Sequence, residues 1–244
     1  MEYAGGGDPA RTMALLWRTA EPPRRGPKQR LDLDQIVAAA IGLADREGLP
    51  AVSVRRIAQE LGIGASSLYT YVSKAELLEL MVDQAIGGQP SPSTLGSYAW
   101  QSLDLHRSHP WLLQISTSRT VLGPHVVARY EAALGLLTNL PAAAREQCLA
   151  TLDVYIRGAA GEVVDAEQAP IRTGRSDDEW WAEYSPILGR YLAEGDYPNL
   201  EALNEAGAFD PTDDTLPYTV QRALDRFRFG LTVVLDAIAC RGCG

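Results

Sequence analysis

Ser66, Ser67, Thr70 and Tyr71 fall on the side of a short helix that faces away from Leu68 and Val72. Small hydroxyls near a helix N-terminus can hydrogen-bond to base edges or phosphates in the major groove of DNA. Tyr69 is placed to bury half of its ring while its hydroxyl reaches a phosphate. Lys74 stands in the first turn of the following helix, where the helix dipole disfavours a cation and a nearby anion such as phosphate would explain it. Arg55 and Arg56 open the preceding helix, and an outward arginine can grip a guanine edge with two hydrogen bonds, worth about 1–3 kcal/mol of discrimination. Taken singly, each is an ordinary exposed polar residue. Taken together they point to nucleic acid.

The elements that must position these residues are readable on both sides. Asp32 begins a helix as N-cap, with Gln35 three residues on in a capping-box pattern. Leu33, Ile36, Val37, Ala40, Ile41 and Ala44 form its apolar stripe, and Gly48 with Pro50 ends it. Ser53 caps a second helix that buries Val54, Ile57, Ala58 and Leu61, and Gly62 ends that one. The third helix is expected from about Ala65 to Val72. Ser73 with Glu76 repeats the capping box for a fourth, which ends at Gly87-Gly88. Short helices with a tight glycine turn between the last two form a helix-turn-helix, which offers one helix to the major groove and uses its neighbours as frame.

The net charge of −9 over 244 residues fits a DNA-binding chain only once it is divided. Residues 1–80 carry ten Lys/Arg and ten Asp/Glu, so the whole excess of acid lies in residues 81–244. Residues 1–31 read as a flexible basic arm. Arg24, Arg25, Lys28 and Arg30 lie among Pro22, Pro23, Gly26 and Pro27, which oppose a helix there. Such an arm can reach phosphates or an adjacent minor groove. The apolar patch Met13–Trp17 fits a short helix docked on the body or on a partner. The local basic footprint matters for DNA, and the total does not. An acidic remainder is repelled from phosphate and stands off the duplex.

From Ser91 onward the chain reads as helices with punctuation. A linker spans Pro92 to Ser97, and a helix runs from Tyr98 to about Arg107. His109-Pro110-Trp111 opens another, and Pro124 begins a helix burying Val127, Tyr130, Leu134 and Leu137. A long helix runs from Pro141 to about Val164, followed by a loop at Glu167–Arg175. Ser176 caps a helix striped by Trp180, Trp181, Tyr184, Ile187, Leu188 and Tyr191. An acidic loop from Gly195 to Thr215 holds one helical turn near Leu200–Asn204, and a last helix opens at Pro217. The fold class is all-α: residues 32–88 form a three-helix helix-turn-helix domain, and residues 92–241 a larger helical bundle.

Residues 33–86 resemble the DNA-binding domain of the TetR family of bacterial transcriptional regulators. The likeness is carried by Ala58, Leu61-Gly62-Ile63, Leu68-Tyr69, Tyr71-Val72, Lys74 and Leu77, with Ile36, Ala39-Ala40 and Glu47-Gly48-Leu49 upstream. Three features depart from the family pattern. Gly64 stands where Ser or Thr is common, Tyr71 where His is frequent, and the step from Tyr71 to Lys74 is one residue short. The resemblance implies a homodimeric, ligand-responsive regulator, most often a repressor, bound to an inverted-repeat operator in double-stranded DNA. It marks Arg55, Ser66, Ser67, Tyr69, Thr70, Tyr71 and Lys74 as DNA contacts, to which the residues themselves add Arg56 and the arm. It also implies an unidentified small-molecule effector bound by the larger domain. Trp100, His106, Trp111, Tyr130, Tyr155, Trp180, Trp181 and Tyr184 are the candidate lining, with Arg119, Gln147 and Arg157 as further polar contacts.

Dimerisation has its own signal. Val220, Leu224, Phe227, Leu231, Val234 and Ile238 are spaced four and three by turns, a seam suited to helix packing. Leu149, Leu152, Ile156 and Val163 with Gly158–Gly161 complement it on the long helix. Helices near 141–164 and 217–239 from two copies could form a four-helix interface about a two-fold axis. Other chemistry has little support. His106, His109 and His125 lack the spacing of a metal set. Cys148, Cys240 and Cys243 give no disulfide framework. No catalytic motif stands in a convincing setting, so no enzyme activity and no cofactor is expected. No run spans a membrane or serves as a secretory leader, which places the protein in the cytoplasm. The alternative is a small helical ligand-binding protein or enzyme whose N-terminal unit mediates protein contacts.

Overall fold

The structure, a computed structural model, describes residues 2–19, 32–213 and 215–241. Among these residues there are helices and turns but no named strand, with a single parallel bridge between Glu2 and Ile115.

Within residues 1–31, expected as a flexible basic arm, the apolar patch expected to form a short docked helix does so as the end of α1 (Pro9–Leu16). Asp8 caps it by accepting from the Arg11 N–H, and Pro9 suits its first position. Leu15 and Leu16 are buried, so apolar burial overrides the basic character of the segment. The arm reading is therefore corrected for residues 2–19. Arg24, Arg25, Lys28 and Arg30 lie outside the described residues, as does Cys243.

The next four helices are α2 (Leu33–Glu47), α3 (Val54–Glu60), α4 (Ala65–Leu68) and α5 (Lys74–Gly87). Asp32 accepts from the Asp34 N–H. Ser73 and Glu76 form the reciprocal capping box at α5. Between α3 and α4, Gly62 adopts φ +67°. The Ile63 N–H donates to the Ala58 carbonyl (2.9 Å) and the Gly62 N–H to the Gln59 carbonyl (3.2 Å). That pairing satisfies the last carbonyls of α3 and requires a residue without a Cβ penalty at position 62. Ile36, Val37, Ala40, Leu43, Ile57, Ala58, Leu68, Val72, Leu77 and Met81 make the common core.

The reading helix is shorter than expected. It stops at Leu68, and the chain tightens into i→i+3 bonds from Thr70 N–H to the Ser67 carbonyl and from Tyr71 N–H to the Leu68 carbonyl. Tyr69, Thr70, Tyr71 and Val72 are weak helix formers, and an outside donor, described below, takes the freed carbonyls.

The larger bundle comprises α6 (Leu95–Ser108), α7 (Pro124–Gly135), α8 (Ala142–Thr173), α9 (Asp177–Ala193), α10 (Pro198–Glu205) and α11 (Tyr218–Arg241). Thr94 and Ser97 cap α6, so it starts earlier than the expected linker allows. Pro110–Gln114 is a 3-10 turn. Helix α8 runs through Pro170 to Thr173, and Gly174 in the left-handed region ends it, which removes the expected loop at Glu167–Arg175. A proline deprives a helix of one hydrogen bond, and the flanking turns carry the helix across it. At about 48 Å, α8 is the spine of the domain.

Helices α6, α8 and α11 enclose a second core of Leu103, Leu149, Leu152, Ile156, Val163, Leu224, Phe227 and Leu231. The seam expected for a partner is thus spent within the chain: Val220, Leu224, Phe227, Leu231 and Ile238 are all buried against it. Gly230 permits the close packing. A Cβ there would lie 2.6 Å from the Tyr155 ring, whose hydroxyl donates to the Phe227 carbonyl at 2.7 Å.

The break near residues 88–92 separates the helices but not the packing. Leu105, Trp111, Leu112, Ile115 and Val121 belong to the first core, so the segment after α6 is built into the frame of the helix-turn-helix.

Candidate nucleic-acid interface

The structure places Arg55, Ser66, Ser67, Tyr69, Thr70 and Lys74 at the surface above Leu68 and Val72, which are fully buried. Tyr71 is half-buried and packs on the first core. Arg55 is exposed and has no ion-pair or hydrogen-bond partner among the described residues. Arg56 instead bonds Glu47 at 2.7 Å. Both arginines face solvent, but only Arg55 is free to take a base or a phosphate without first breaking a pair. The Thr70 hydroxyl donates to the Ser67 carbonyl at 2.6 Å, which leaves its lone pairs outward. Lys74 Nζ lies 3.2 Å from a Glu2 carboxylate oxygen. One exposed surface therefore carries donors, hydroxyls and two cations, held by a tightly packed frame beneath it.

The residues expected to line an effector site do not come together in one place. Trp100 and Tyr155 come together around Phe227, with ring centroids 4.8 and 6.1 Å from it. Trp180, Trp181 and Tyr184 stack on one another along α9, with Trp180 centred 5.8 Å from Trp181 and 4.9 Å from Tyr184. No residue of α9 is buried, so its apolar stripe faces solvent in the single chain. Tyr130 is exposed on α7.

Trp111 is not a lining residue. It is 1% exposed in the first core, and its Nε1–H donates to Asp45 Oδ1 at 2.7 Å. His109 Nδ1 meets the same oxygen at 2.8 Å. Its place in the bundle half of the chain suggests a pocket, whereas tertiary packing draws the ring into the junction with α2.

Inside the bundle, α6, α7 and α8 converge on polar groups that sequence reasoning missed. The Tyr98 hydroxyl donates to Asp153 Oδ1 at 2.7 Å. The Arg129 guanidinium lies 4.6 Å above the Tyr98 ring and donates to Ser102 Oγ at 3.0 Å. Burial raises the Asp153 carboxyl and lowers the Arg129 guanidinium, and burial next to Asp153 pushes the Tyr98 phenol up. The signal was present: Asp153 stands four residues after Leu149 and three before Ile156, on the stripe that faces the core. A cleft beside this cluster is lined by Ile86, Pro90, His125, Ala128, Arg129 and Ala132.

His106 sits one helical turn beyond Ser102 and bonds its carbonyl at 2.7 Å through Nδ1. Burial, with a smaller contribution from Arg157, holds the imidazole below its ordinary value. The folded state then resists protonation that the unfolded chain accepts. The resulting stability is fully present above about pH 6.5 and is lost as pH falls through the folded value. Replacing His106 with Gln should therefore shrink the loss in urea midpoint between pH 7.5 and pH 5.5. The difference from wild type isolates His106 from His109 and His125, and an unchanged loss would show that the site titrates normally.

Among the described residues no group of three His, Cys, Asp or Glu side chains could hold a metal. His109 and His125 are each tied to an aspartate, Asp45 and Asp83.

Comparison with known proteins adds to this geometry. The family profile described as bacterial regulatory proteins, tetR family, matches residues 36–81. The profile described as tetracyclin repressor-like, C-terminal domain, matches residues 93–241. The HTH-type transcriptional repressor DrrR1 of Streptomyces coeruleorubidus is 41% identical over 236 residues, covering 92% of this chain and 87% of that protein. Among solved structures, apo ActR from Streptomyces coelicolor superposes with a TM-score of 0.67 at 26% identity, over 87% of this chain and 96% of that one. The same protein in complex with actinorhodin gives 0.67 at 25% identity, over 88% and 97%. Two adjoining profiles, a relative matched along nearly its whole length and a shared fold agree with the capped helix-turn-helix and the bundle behind it: the chain belongs to the TetR family of bacterial regulatory proteins.

Proposed function

We propose that this chain is a transcriptional repressor that binds an inverted-repeat operator as a homodimer and releases it when a small apolar or aromatic effector enters the bundle. The observation that carries the reading is the surface of Arg55, Ser66, Ser67, Tyr69, Thr70 and Lys74, exposed above a fully buried frame. The helix α4 has no Lys or Arg. Affinity that comes from phosphate neutralisation then falls to Arg55, Lys74 and the basic residues Arg24, Arg25, Lys28 and Arg30. Arg56 joins them once it leaves Glu47.

The dimer is proposed to form on the face of α8 and α11 left open by the internal seam. Phe229 is 74% exposed, Val154 75% and Val233 51%. Beside them a groove between the two helices is lined by Cys148, Thr151, Val233, Val234, Ala237 and Ile238. A Cβ added at Gly158 or Gly161 would meet nothing within 4 Å, so a second helix has room to approach. A two-fold dimer sets its reading helices about 34–36 Å apart, one turn of DNA.

The effector is proposed to lie near Tyr98, Ser102, Arg129 and Asp153, with Trp100 and Tyr155 on one side; an apolar interior with a few polar groups suits a small molecule. The structure of the similar protein ActR in complex with actinorhodin supports a small-molecule effector. The effector must bind one dimer geometry better than the other, or it shifts nothing. The proposed place of action is the cytoplasm, where the operator lies. No helix among the described residues is long and apolar enough to cross a membrane.

Selection of fragments from a random duplex library by the full chain tests the reading. The expected product is an inverted repeat whose affinity falls steeply with salt. Replacing Arg24, Arg25, Lys28 and Arg30 with Ala should weaken binding to every fragment and flatten the log–log salt slope by about 0.9 for each phosphate left unneutralised. Recovery of no preferred sequence would sink the repressor reading, and an unchanged slope would remove the arm from the interface.

A further inference from the structure

We propose that residues 2–16 are a working part of the DNA-reading unit, in which Arg11 positions the reading turn and Glu2 shields Lys74 until DNA displaces it. The proposal rests on the assignment of residues 33–87 to DNA binding.

The turn that carries Tyr69, Thr70, Tyr71 and Lys74 has little internal support. Helix α4 is a single turn, too short to hold itself by its own hydrogen bonds. The turn that follows it carries the Thr70 and Tyr71 carbonyls, which lie outside any helix and need donors. Arg11 supplies them from α1: Nη2 donates to the Tyr71 carbonyl at 3.2 Å and to the Thr70 carbonyl at 3.4 Å. The same guanidinium reaches across the turn, with Nε 3.0 Å from Glu76 Oε1. Glu76 is buried, and its other oxygen accepts the Ser73 N–H at 2.7 Å. Arg11 thus joins the end of the reading helix to the capping box of α5. An arginine fork is suited to this, because a flat, rigid cation can serve a carboxylate and two carbonyls at once.

The segment that presents Arg11 is anchored at both ends. On one side Leu15 and Leu16 are buried in the first core. On the other, the Gly5 N–H donates to the buried Glu79 at 3.0 Å. The Glu2 N–H donates to the Gln114 carbonyl at 2.9 Å, and the Glu2 carbonyl accepts the Ser116 N–H at 2.8 Å. A backbone fixed in this way holds the Glu2 carboxylate against Lys74 Nζ, 3.2 Å away. Both side chains are about half exposed, so water and salt screen the pair and a phosphate can replace it. The carboxylate nevertheless occupies the lysine and repels the backbone of an approaching duplex.

The two residues therefore act with opposite sign. Losing Arg11 loosens the geometry that reads bases and should reduce preference for the operator. Losing the charge of Glu2 frees Lys74 and should tighten binding to all DNA. A segment that only stabilised the fold would move both variants the same way.

The test uses the full chain with two duplexes: one selected by the wild type from a random library and one scrambled. Folded fraction is measured by thermal melting and by stoichiometric titration. Arg11→Ala should weaken the selected duplex on the order of tenfold, as for a lost set of charge-assisted hydrogen bonds, and change the scrambled one by less than about twofold. Arg11→Lys should restore part of the preference, since it keeps the Glu76 pair without the fork. Glu2→Gln should tighten both duplexes by roughly twofold to fivefold at low salt, and the gain should vanish at high salt. A preference ratio unchanged in Arg11→Ala overturns the positioning role. If that variant does not fold, an unchanged ratio in Arg11→Lys does so. Equal affinities for Glu2→Gln and wild type overturn the shielding role. A wild type that selects no sequence refutes the DNA-binding assignment itself, which is a separate outcome.

Discussion

Converting Phe229 to Asp should leave each chain folded and separate the proposed dimer. The ring is 74% exposed on a single chain, so the replacement removes little from its own core. Between two copies it would bury a carboxylate with no partner, which proteins avoid at a cost of several kcal/mol. The second half-site then ceases to be an intramolecular partner of the first, and operator affinity should fall by about 10²–10⁴-fold. Sedimentation at concentrations where the wild type is dimeric should show a monomer. A dimer with full operator affinity would place the interface elsewhere.

Trp111→Ala should cost about 3–5 kcal/mol of stability, the range for deleting a large buried aromatic. The ring fills the junction between the 3-10 turn at Pro110–Gln114 and α2, and its indole N–H is one of two donors on Asp45 Oδ1. Trp111→Phe keeps most of the volume and should cost about 1–3 kcal/mol, mainly for the lost charge-assisted bond to Asp45. Urea denaturation followed by circular dichroism reads both. A loss below about 1 kcal/mol for the alanine variant would mean that the junction is loosely packed. The pair separates a structural tryptophan from a lining one, because a lining residue could be truncated at little cost to the fold.

Local signals account for most of the helix-turn-helix. The caps at Asp32, Ser53 and Ser73, the glycine at 62 and the apolar spacing of α2 and α3 are short-range features, and each reappears in the structure. The features that escape a sequence reading are long-range. The apolar patch at Met13–Trp17 suggests a docked helix, but nothing near it says that Leu15 and Leu16 will pack against α5. Nothing near Trp111 says that its nitrogen will find Asp45, 66 residues away. The heptad seam of α11 is legible as a packing surface, but periodicity does not reveal whether the partner helix lies in the same chain. Helix α8 answers that within the chain, and a less regular face, with Phe229 and Val233, remains open. The polar cluster around Asp153 is legible in principle, since a carboxylate on a buried stripe needs partners. Tyr98 and Arg129 come from two other helices, and their meeting is a property of the fold.

The parallel bridge at Glu2 bears on the order in which the protein is made. The reading unit ends in sequence at Gly87, yet its N-terminal strap closes on Gln114 and Ser116, and the Trp17 indole bonds the Leu122 carbonyl. Domains fold from the N-terminus during synthesis at about 5–20 residues per second. About 29 further residues must therefore emerge, roughly 1.5–6 s of translation, before the Glu2 end of the strap can close on Gln114 and Ser116. During that interval Arg11 and Gly5 can already hold the turn and α5, but the Glu2 carboxylate is not yet fixed beside Lys74, so the proposed shield forms only after part of the bundle half has been synthesised.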